Sequence, residues 1–337
     1  MVSKASEKDL GPLAASSFPL LVYDHGAPPD DIVQTVLSVA DGSLRTIQVP
    51  EMCNYTCLET PQGLVLMVDT AAASSQQRWL WNPQTGETTA LPAMDEPLPD
   101  HCRCLLYDAS SSPPPDYWSP DYEDTTPPDS LVLVYDLTRP EMLLYRIRGG
   151  AGWVRQYYDD MGLCEAPGRD PIEMPLGCMA VVQGTFYFLK SRHEVGAFVT
   201  FADGPEPCLH PVTFDCDEPK STLVTGDGEK PPQTVATMSY LLESCGDLFL
   251  VCVFYLGCTM ERIEEVGVYR MDPLAKEWCK VTDIGDMAFL LGPSHFAASC
   301  AAAEHGLKKG CVYYCNDLIG DSNEFHIFDL KEGTRDS

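Results

Sequence analysis

Seven histidines are available for acid–base or metal chemistry: His25, His101, His193, His210, His295, His305 and His326. None stands in a His-x-x-x-His or His-Glu-x-x-His spacing, which brings two imidazoles to one ion on a helix face. His193 and Glu194 form an acid–base pair by adjacency alone, and neighbouring polar residues at a strand end are ordinarily solvated. Asp283 and Asp286 flank Ile284-Gly285. Two carboxylates so spaced suit a cation or acid–base work, and they equally suit a loop between strands. A Gly-x-Ser-x-Gly elbow for a serine nucleophile is absent. These residues make no catalytic constellation, so the chain is not expected to be an enzyme, and no cofactor is expected.

Fifteen cysteines invite a metal or disulfide reading. Zinc sites ordinarily present Cys-x-x-Cys pairs. The nearest approaches here are Cys102-x-Cys104, Cys53-x₃-Cys57 and Cys311-x₃-Cys315. Cys252 sits inside the apolar run LVCVFYL, where a thiol acts as a small hydrophobe. Disulfide scaffolds are usually short and secreted. The opening MVSKASEKDL lacks the apolar core of a secretory signal, and Glu7 and Asp9 argue against an Arg-rich transit peptide. Reduced structural thiols without zinc are therefore expected. The longest apolar run, Leu248 to Leu256, is far too short to cross a membrane and reads as a buried strand. The expected location is intracellular, in cytoplasm or nucleus.

Charge narrows the partners. Lys+Arg 22 against Asp+Glu 50 gives a net charge of -28. Such a surface repels a phosphate backbone or an anionic membrane. Neither nucleic acid nor membrane is expected as a partner; a basic protein surface is the better match.

These side chains must be held by something, and the stretch WNPQTGETTALP (Trp81 to Pro92) shows what. A phosphate loop would need several glycines and a Lys-Ser or Lys-Thr pair opening a helix. Here Pro83 presets a turn and Gly86 supplies positive φ, while the flanks Arg78 to Trp81 and Thr88 to Leu91 favour strands. The stretch is predicted to be a hairpin. Related hairpins are predicted at VADGSLRTIQVP (from Val39), VYDLTRPEMLLYRI (from Val134), VYRMDPLAKEWCKV (from Val268) and IFDLKEGT (from Ile327). A glycine also precedes a short β-rich run at Gly63-LVLM, Gly184-TFYFL, Gly246-DLFLV and Gly310-CVYYC. Inner strands such as Leu131 to Val134 are apolar throughout, as strands covered on both faces are.

No long segment has helical periodicity. Units recurring about every 55 to 65 residues suggest a radial repeat. The predicted fold is an all-β propeller of about six blades, over 18–50, 51–92, 101–158, 174–214, 234–282 and 284–333. A β-sandwich is the structural alternative. Residues 1–17 and 334–337 are expected to be tails flanking the domain at 18–333. WD40 and kelch signatures are missing.

The residues resemble the plant F-box-associated domain of unknown function described as the KIB-type β-propeller, in its grass-expanded form. The resemblance rests on PLLVYDHG (Pro19 to Gly26), DGSLRTIQVPE (Asp41 to Glu51), TPQGLVLM (Thr60 to Met67) and WNPQTGE (Trp81 to Glu87). It continues through LLESCGDLFLV (Leu241 to Val251), VYRMDPLAKEWCKVTDIGDMAFLLG (Val268 to Gly292), GCVYYCNDL (Gly310 to Leu318) and HIFDLKEG (His326 to Gly333). The resemblance implies a protein-binding platform. In many members an N-terminal F-box docks on the Skp1-type adaptor of a cullin ubiquitin ligase, leaving the propeller to choose the substrate. Only 17 residues precede Phe18 here, and none resemble that helical module. Binding of a Skp1-type adaptor is therefore not expected of this chain as given.

One segment stands apart. Asp108 to Asp129 (DASSSPPPDYWSPDYEDTTPPD) has six prolines, six acidic residues and no Lys or Arg. Proline at this density cannot pair in a sheet, and the charge opposes collapse. It is predicted to be a long insertion between two strands of the third unit. It is either an idle surface loop or an acidic docking segment anchored by Tyr117, Trp118 and Tyr122, since aromatic residues concentrate binding energy at interfaces.

Overall fold

Runs of strand-forming residues separated by turn chemistry give a sheet for each predicted unit. In this computed structural model the described residues are 20–24, 33–39, 43–48, 52, 55–69, 76–94, 98–99, 101–107, 130–147, 150, 152–157, 176–191, 193–201, 208–217, 219, 235–256, 263–316 and 324–336. The first sheet has three antiparallel strands, β1 (Leu20–Asp24), β2 (Val33–Ser38) and β3 (Ser43–Gln48). Blade 2 holds β4 (Tyr55–Glu59), β5 (Val65–Asp69), β6 (Gln76–Trp81) and β7 (Thr88–Met94). Blade 3 holds β8 (Cys102–Tyr107), β9 (Leu131–Asp136), β10 (Glu141–Arg146) and β11 (Val154–Tyr157). Blade 4 holds β12 (Met179–Val182), β13 (Thr185–Ser191), β14 (Glu194–Phe201) and β15 (Cys208–Asp215).

Blade 5 holds β16 (Val235–Ser244), β17 (Asp247–Leu256), β18 (Ile263–Asp272) and β19 (Glu277–Val281). The last blade has five strands: β20 (Met287–Leu291), β21 (Ala297–Ala301), β22 (Cys311–Asn316), β23 (Glu324–Asp329) and β24 (Thr334–Asp336). The fold is thus an all-β propeller with five blades of four or five strands and a smaller three-stranded sheet.

The glycines explain the repeat. Gly63, Gly184, Gly246 and Gly310 all have positive φ, between +71° and +86°, and each turns the chain into its blade's second strand or the strand equivalent to it. Gln183-Gly184 and Cys245-Gly246 are two-residue hairpins with both residues left-handed, the geometry whose twist matches paired strands. The other turn is built on a side chain. Asn82 Oδ1 accepts the backbone N–H of Gln84 (2.9 Å) and Thr85 (3.2 Å). Asp272 does the same for Leu274 and Ala275, and Asp329 for Lys331 and Glu332. WNPQTGE is therefore a hairpin between β6 and β7.

Packing is radial. The innermost strands β4, β8, β12 and β16 abut in sequence, and β16 abuts β21. Strand alternation then points successive side chains to opposite neighbours. On β9, Leu131, Leu133 and Tyr135 join blade 4's Met179, Val181, Phe186 and Phe188, while Val132 and Val134 join blade 2's Leu66, Val68 and Leu80. That is why LVLVYD is buried throughout. Two further apolar layers join blade 4 to blade 5 and blade 5 to the last blade.

Two features go beyond the local signals, and one expectation needs correction. Asp136 makes the same turn, bonding Thr138 N and Arg139 N, but it joins β9 to β10, the second and third strands. That places it at the other end of its blade, because local turn chemistry carries no information about strand order. In the last blade, β20 inserts between β21 and β22 and runs parallel to β22, which no local signal announced. Residues 334–336 are not tail: Gly333, at φ +63°, returns the chain so that β24 pairs with β23. Residues 1–17 and the insertion 108–129 lie outside the described residues.

Candidate functional site

One loop of the last blade gathers a polar cluster with residues of three other blades. Between β20 and β21 the chain turns through Pro293, Ser294 and His295; Ser294 and His295 both have positive φ, at +51° and +63°. Such a conformation costs a non-glycine residue energy and persists only where its surroundings hold it. Arg103 on β8 supplies one hold. Its Nη2 donates to Pro293 O (2.5 Å) and its Nε to Ser294 O (3.2 Å), with the guanidinium 5.7 Å from the Phe296 ring. Glu59 at the end of β4 sits 3.9 Å from Arg103 Nη1. Thus a loop of the last blade reaches blades 2 and 3.

His295 supplies the second hold. Its Nδ1 lies 3.0 Å from the Ser239 carbonyl on β16 and 3.4 Å from Cys178 Sγ beside β12. The Cys178 thiol donates to the same Ser239 carbonyl at 2.6 Å. A cysteine and a histidine this close could form a nucleophile–base pair. The bonding says otherwise. A carbonyl accepts, so Nδ1 must carry its proton to bond Ser239, leaving no lone pair there for the thiol proton. Burial also pushes the Cys178 thiol up to about 12, far from a thiolate at neutral pH. The pair is a lock between blades 4, 5 and the last.

A second lock lies beside it. The hydroxyls of Tyr255 and Tyr314 hydrogen-bond each other, and both also reach Met238 Sδ at 3.8 Å. Tyr240 contributes its hydroxyl at 4.0 Å from the same sulfur, and its ring packs edge-on to Tyr314. Burial raises all three phenols above their usual range, so they stay protonated. Nothing in this group is an activated acid, base or nucleophile.

The residues singled out from sequence fall elsewhere. His193 is exposed, and Glu194 accepts from Lys190 at 3.0 Å. Asp283 and Asp286 do not converge on a shared point: Asp283 pairs with Lys331 and Asp286 with Lys309, each at 2.9 Å. The Lys331 ammonium holds the Asp283 carboxyl below its ordinary range. Cys57, Cys102, Cys104, Cys311 and Cys315 are buried in apolar clusters between or within blades. No group of three metal-ligating side chains occurs among the described residues. Tyr117, Trp118 and Tyr122 lie outside them. No helix among the described residues is long and apolar enough to cross a membrane.

The grouping of Arg103, Cys178, Ser239 and His295 was missed, although His295 stood among the seven histidines, because the four are distant in sequence. At the rim, a cleft of about 440 Å³ opens between β18–β19 and β23–β24. Apolar Val266 and Phe328 and acidic Glu264 and Asp329 line it.

Comparison with known proteins adds kinship. A family model described as KIB1-4 beta-propeller matches residues 36–329. An Arabidopsis thaliana protein provisionally named an F-box protein is 29% identical over 97 residues, covering 28% of this chain and 26% of that protein. The matched part thus spans about a quarter of that relative's length. Among solved structures, the complex of KlAtg21 with a coiled coil of AgAtg16 gives a TM-score of 0.31 at 10% identity, covering 88% of this chain and 68% of that one. Saccharomyces cerevisiae Sqt1 gives 0.31 at 8% identity, covering 90% of this chain and 80% of that one.

Proposed function

The chain belongs to the KIB1-4 beta-propeller family, and from that premise we propose that it is a non-enzymatic protein-binding module. The observation that carries this reading is that the polar groups around His295 are engaged with one another and the Cys178 thiol is held far from a thiolate. The loop through Ser294 and His295 ties the last blade to blades 3, 4 and 5 by bonding to Arg103, Cys178 and Ser239. The polar groups gathered there bond one another. The chain's net charge of -28 favours a basic protein partner over nucleic acid or membrane.

The test is affinity purification from plant tissue, followed by titration of the purified partner at two salt concentrations. Saturable binding that weakens with salt is expected. Turnover in a mixed-metabolite screen, with no protein partner retained, would overturn the reading.

A second reading is favoured by the F-box name of the Arabidopsis relative: the substrate-recognition part of a Skp1–cullin–F-box ubiquitin ligase. Titrating a Skp1-type adaptor against this chain and an F-box-bearing paralogue, side by side, separates the two. Micromolar or tighter binding by this chain would raise the ligase reading to first place.

A further inference from the structure

Three buried phenols converge on one partly exposed thioether. Met238 lies on β16, and Tyr240 follows it on the same face. Tyr255 comes from β17, and Tyr314 from β22 of the last blade. The hydroxyls of Tyr255 and Tyr314 lie 3.8 Å from Met238 Sδ, and that of Tyr240 lies 4.0 Å from it. All three tyrosines are buried, whereas solvent reaches part of Met238. Met287, the other partly exposed methionine among the described residues, has no phenol partner there.

A thioether sulfur is only a weak acceptor, while a phenol is a good donor. An oxygen attached to Met238 Sδ on the phenol side would stand one bond length nearer to the hydroxyls. With an ordinary bend at that oxygen, the separations fall to about 2.5–3.0 Å, the span of O–H···O hydrogen bonds. Burial raises all three phenols above their usual range, so they keep the protons this needs. The bond between Tyr255 and Tyr314 uses one of their two protons, and the other can turn to the new oxygen. Because these two hydroxyls are bonded together and equally far from the sulfur, they lie in one direction from it. They therefore favour one of the two positions an oxygen can take on sulfur.

We propose that Met238 is a modification site, at which a hydroperoxide leaves one sulfoxide epimer held by the tyrosine hydroxyls. With hydrogen peroxide the step balances as follows. The sulfur lone pair attacks one peroxide oxygen, the O–O bond breaks, and that oxygen stays on sulfur. The other oxygen leaves as hydroxide and takes the proton of the transferred oxygen to become water. Sulfur is oxidised by two electrons and the peroxide is reduced by two. A thioether attacks without losing a proton, so the phenols need not activate the sulfur; they receive the oxygen. A sulfoxide in an apolar core ordinarily disrupts it. Here the new acceptor meets donors from blade 5 and from the last blade instead.

The probe is dilute hydrogen peroxide added to the full chain, followed by digestion and mass spectrometry of the peptides bearing Met238 and Met287. The Met287 peptide reports how far a partly exposed methionine reacts without phenols beside it. The Met238 peptide is then treated with a methionine sulfoxide reductase specific for one epimer, or with its counterpart for the other. One epimer should exceed the other by about tenfold, the worth of a good hydrogen bond. In Tyr255→Phe/Tyr314→Phe, which keeps the ring shapes, that preference should disappear. Should this variant melt early, Tyr240→Phe leaves the Tyr255–Tyr314 bond in place and should still weaken the preference. Equal shares of the two epimers at Met238 overturn the assignment. So does an unchanged preference in the phenylalanine variants, or a Met238 that stays reduced while Met287 is oxidised.

Discussion

Blades 4 and 5 open alike and close differently. Each turns from its first strand to its second on two left-handed residues, and each carries a glycine in its third strand beneath an aromatic ring. Gly196 lies under Phe188, its cross-strand partner on β13, and Gly267 lies under Tyr269 of its own strand. The blades diverge at the fourth strand, which covers all of β14 but only half of β18. Inner and middle strands are packed on both faces by neighbouring blades, where a methylene is felt. A fourth strand meets fewer constraints, and there the two blades are free to differ.

The largest effect should separate the two glycines. A methyl at Gly196 would overlap the ring of Phe188, which is fully buried and packed 4.5 Å from Phe198. Gly196→Ala should therefore cost about 3 kcal/mol, the upper range for overpacking a core. A methyl at Gly267 would meet the hydroxyl end of Tyr269 at 2.7 Å, a milder overlap than the 2.0 Å approach to Phe188 at Gly196. Gly267→Ala should cost about 1 kcal/mol. Urea denaturation of both variants decides; equal losses would mean that blade 5 is packed as tightly as blade 4.

The next effect tests how blade 5 joins its other neighbour. Tyr314→Phe removes the hydroxyl bonded to Tyr255 and in contact with Met238, at a cost of about 2 kcal/mol for a buried group that loses its partner. It should also change the response to alkali. Burial raises these phenols above their ordinary value of 10.0, so the folded state keeps its protons after the unfolded chain begins to lose them. Their contribution is complete below pH 10 and drains away as pH rises above it, by up to about 1.4 kcal/mol per pH unit for each phenol. Stability measured from pH 8 to 11.5 should fall less steeply in the variant. Parallel curves would show that the phenols are not linked to folding.

How much of this was legible in the sequence follows from what each residue needs to know. Gly63, Gly184, Gly246 and Gly310 were readable because a left-handed turn is a local demand. Asn82, Asp272 and Asp329 were readable for the same reason, since each bonds backbone two and three residues ahead. Asp136 shows the limit: its turn was predicted correctly, yet strand order placed it at the other end of the blade. β20 was invisible because its partner β22 lies across a hairpin and a short 3-10 helix. The lock around His295 was invisible too, since Arg103 and Ser294 are 191 residues apart and Cys178 and His295 are 117. That β19 pairs with only half of β18 is a mismatch of strand lengths, which propensity does not report.

A smaller effect probes the turn that starts the divergence. Asp272→Ala removes the acceptor for Leu274 N and Ala275 N, where β18 passes to β19. Losing a side-chain cap of this kind costs about 1 kcal/mol. Because β19 already covers only half of β18, exchange at Val268 to Asp272 should quicken as well. Asn82→Ala in blade 2, whose fourth strand is longer, should lose similar stability without that local loosening. Equal loosening in both blades would remove the link between strand coverage and edge stability.

The smallest change should come from the largest deletion. Blade 3 passes from Tyr107 on β8 to Leu131 on β9 where blades 4 and 5 need two residues. Tyr107 and Leu131 are themselves register partners, so the strand ends are already held together by the ladder. Removing Ser110 to Thr126 leaves six residues to join them. Closing a shorter loop costs less entropy, which favours the deleted form by about 1 kcal/mol at most. The melting temperature should therefore hold within a few degrees or rise slightly. Binding is the more telling readout, because Tyr117, Trp118 and Tyr122 leave with the segment. If a basic partner binds this deletion as well as the full chain, docking does not need the insertion. If the deleted chain fails to fold, the segment packs against the ring, and the rule that variation gathers where packing is loosest fails in blade 3.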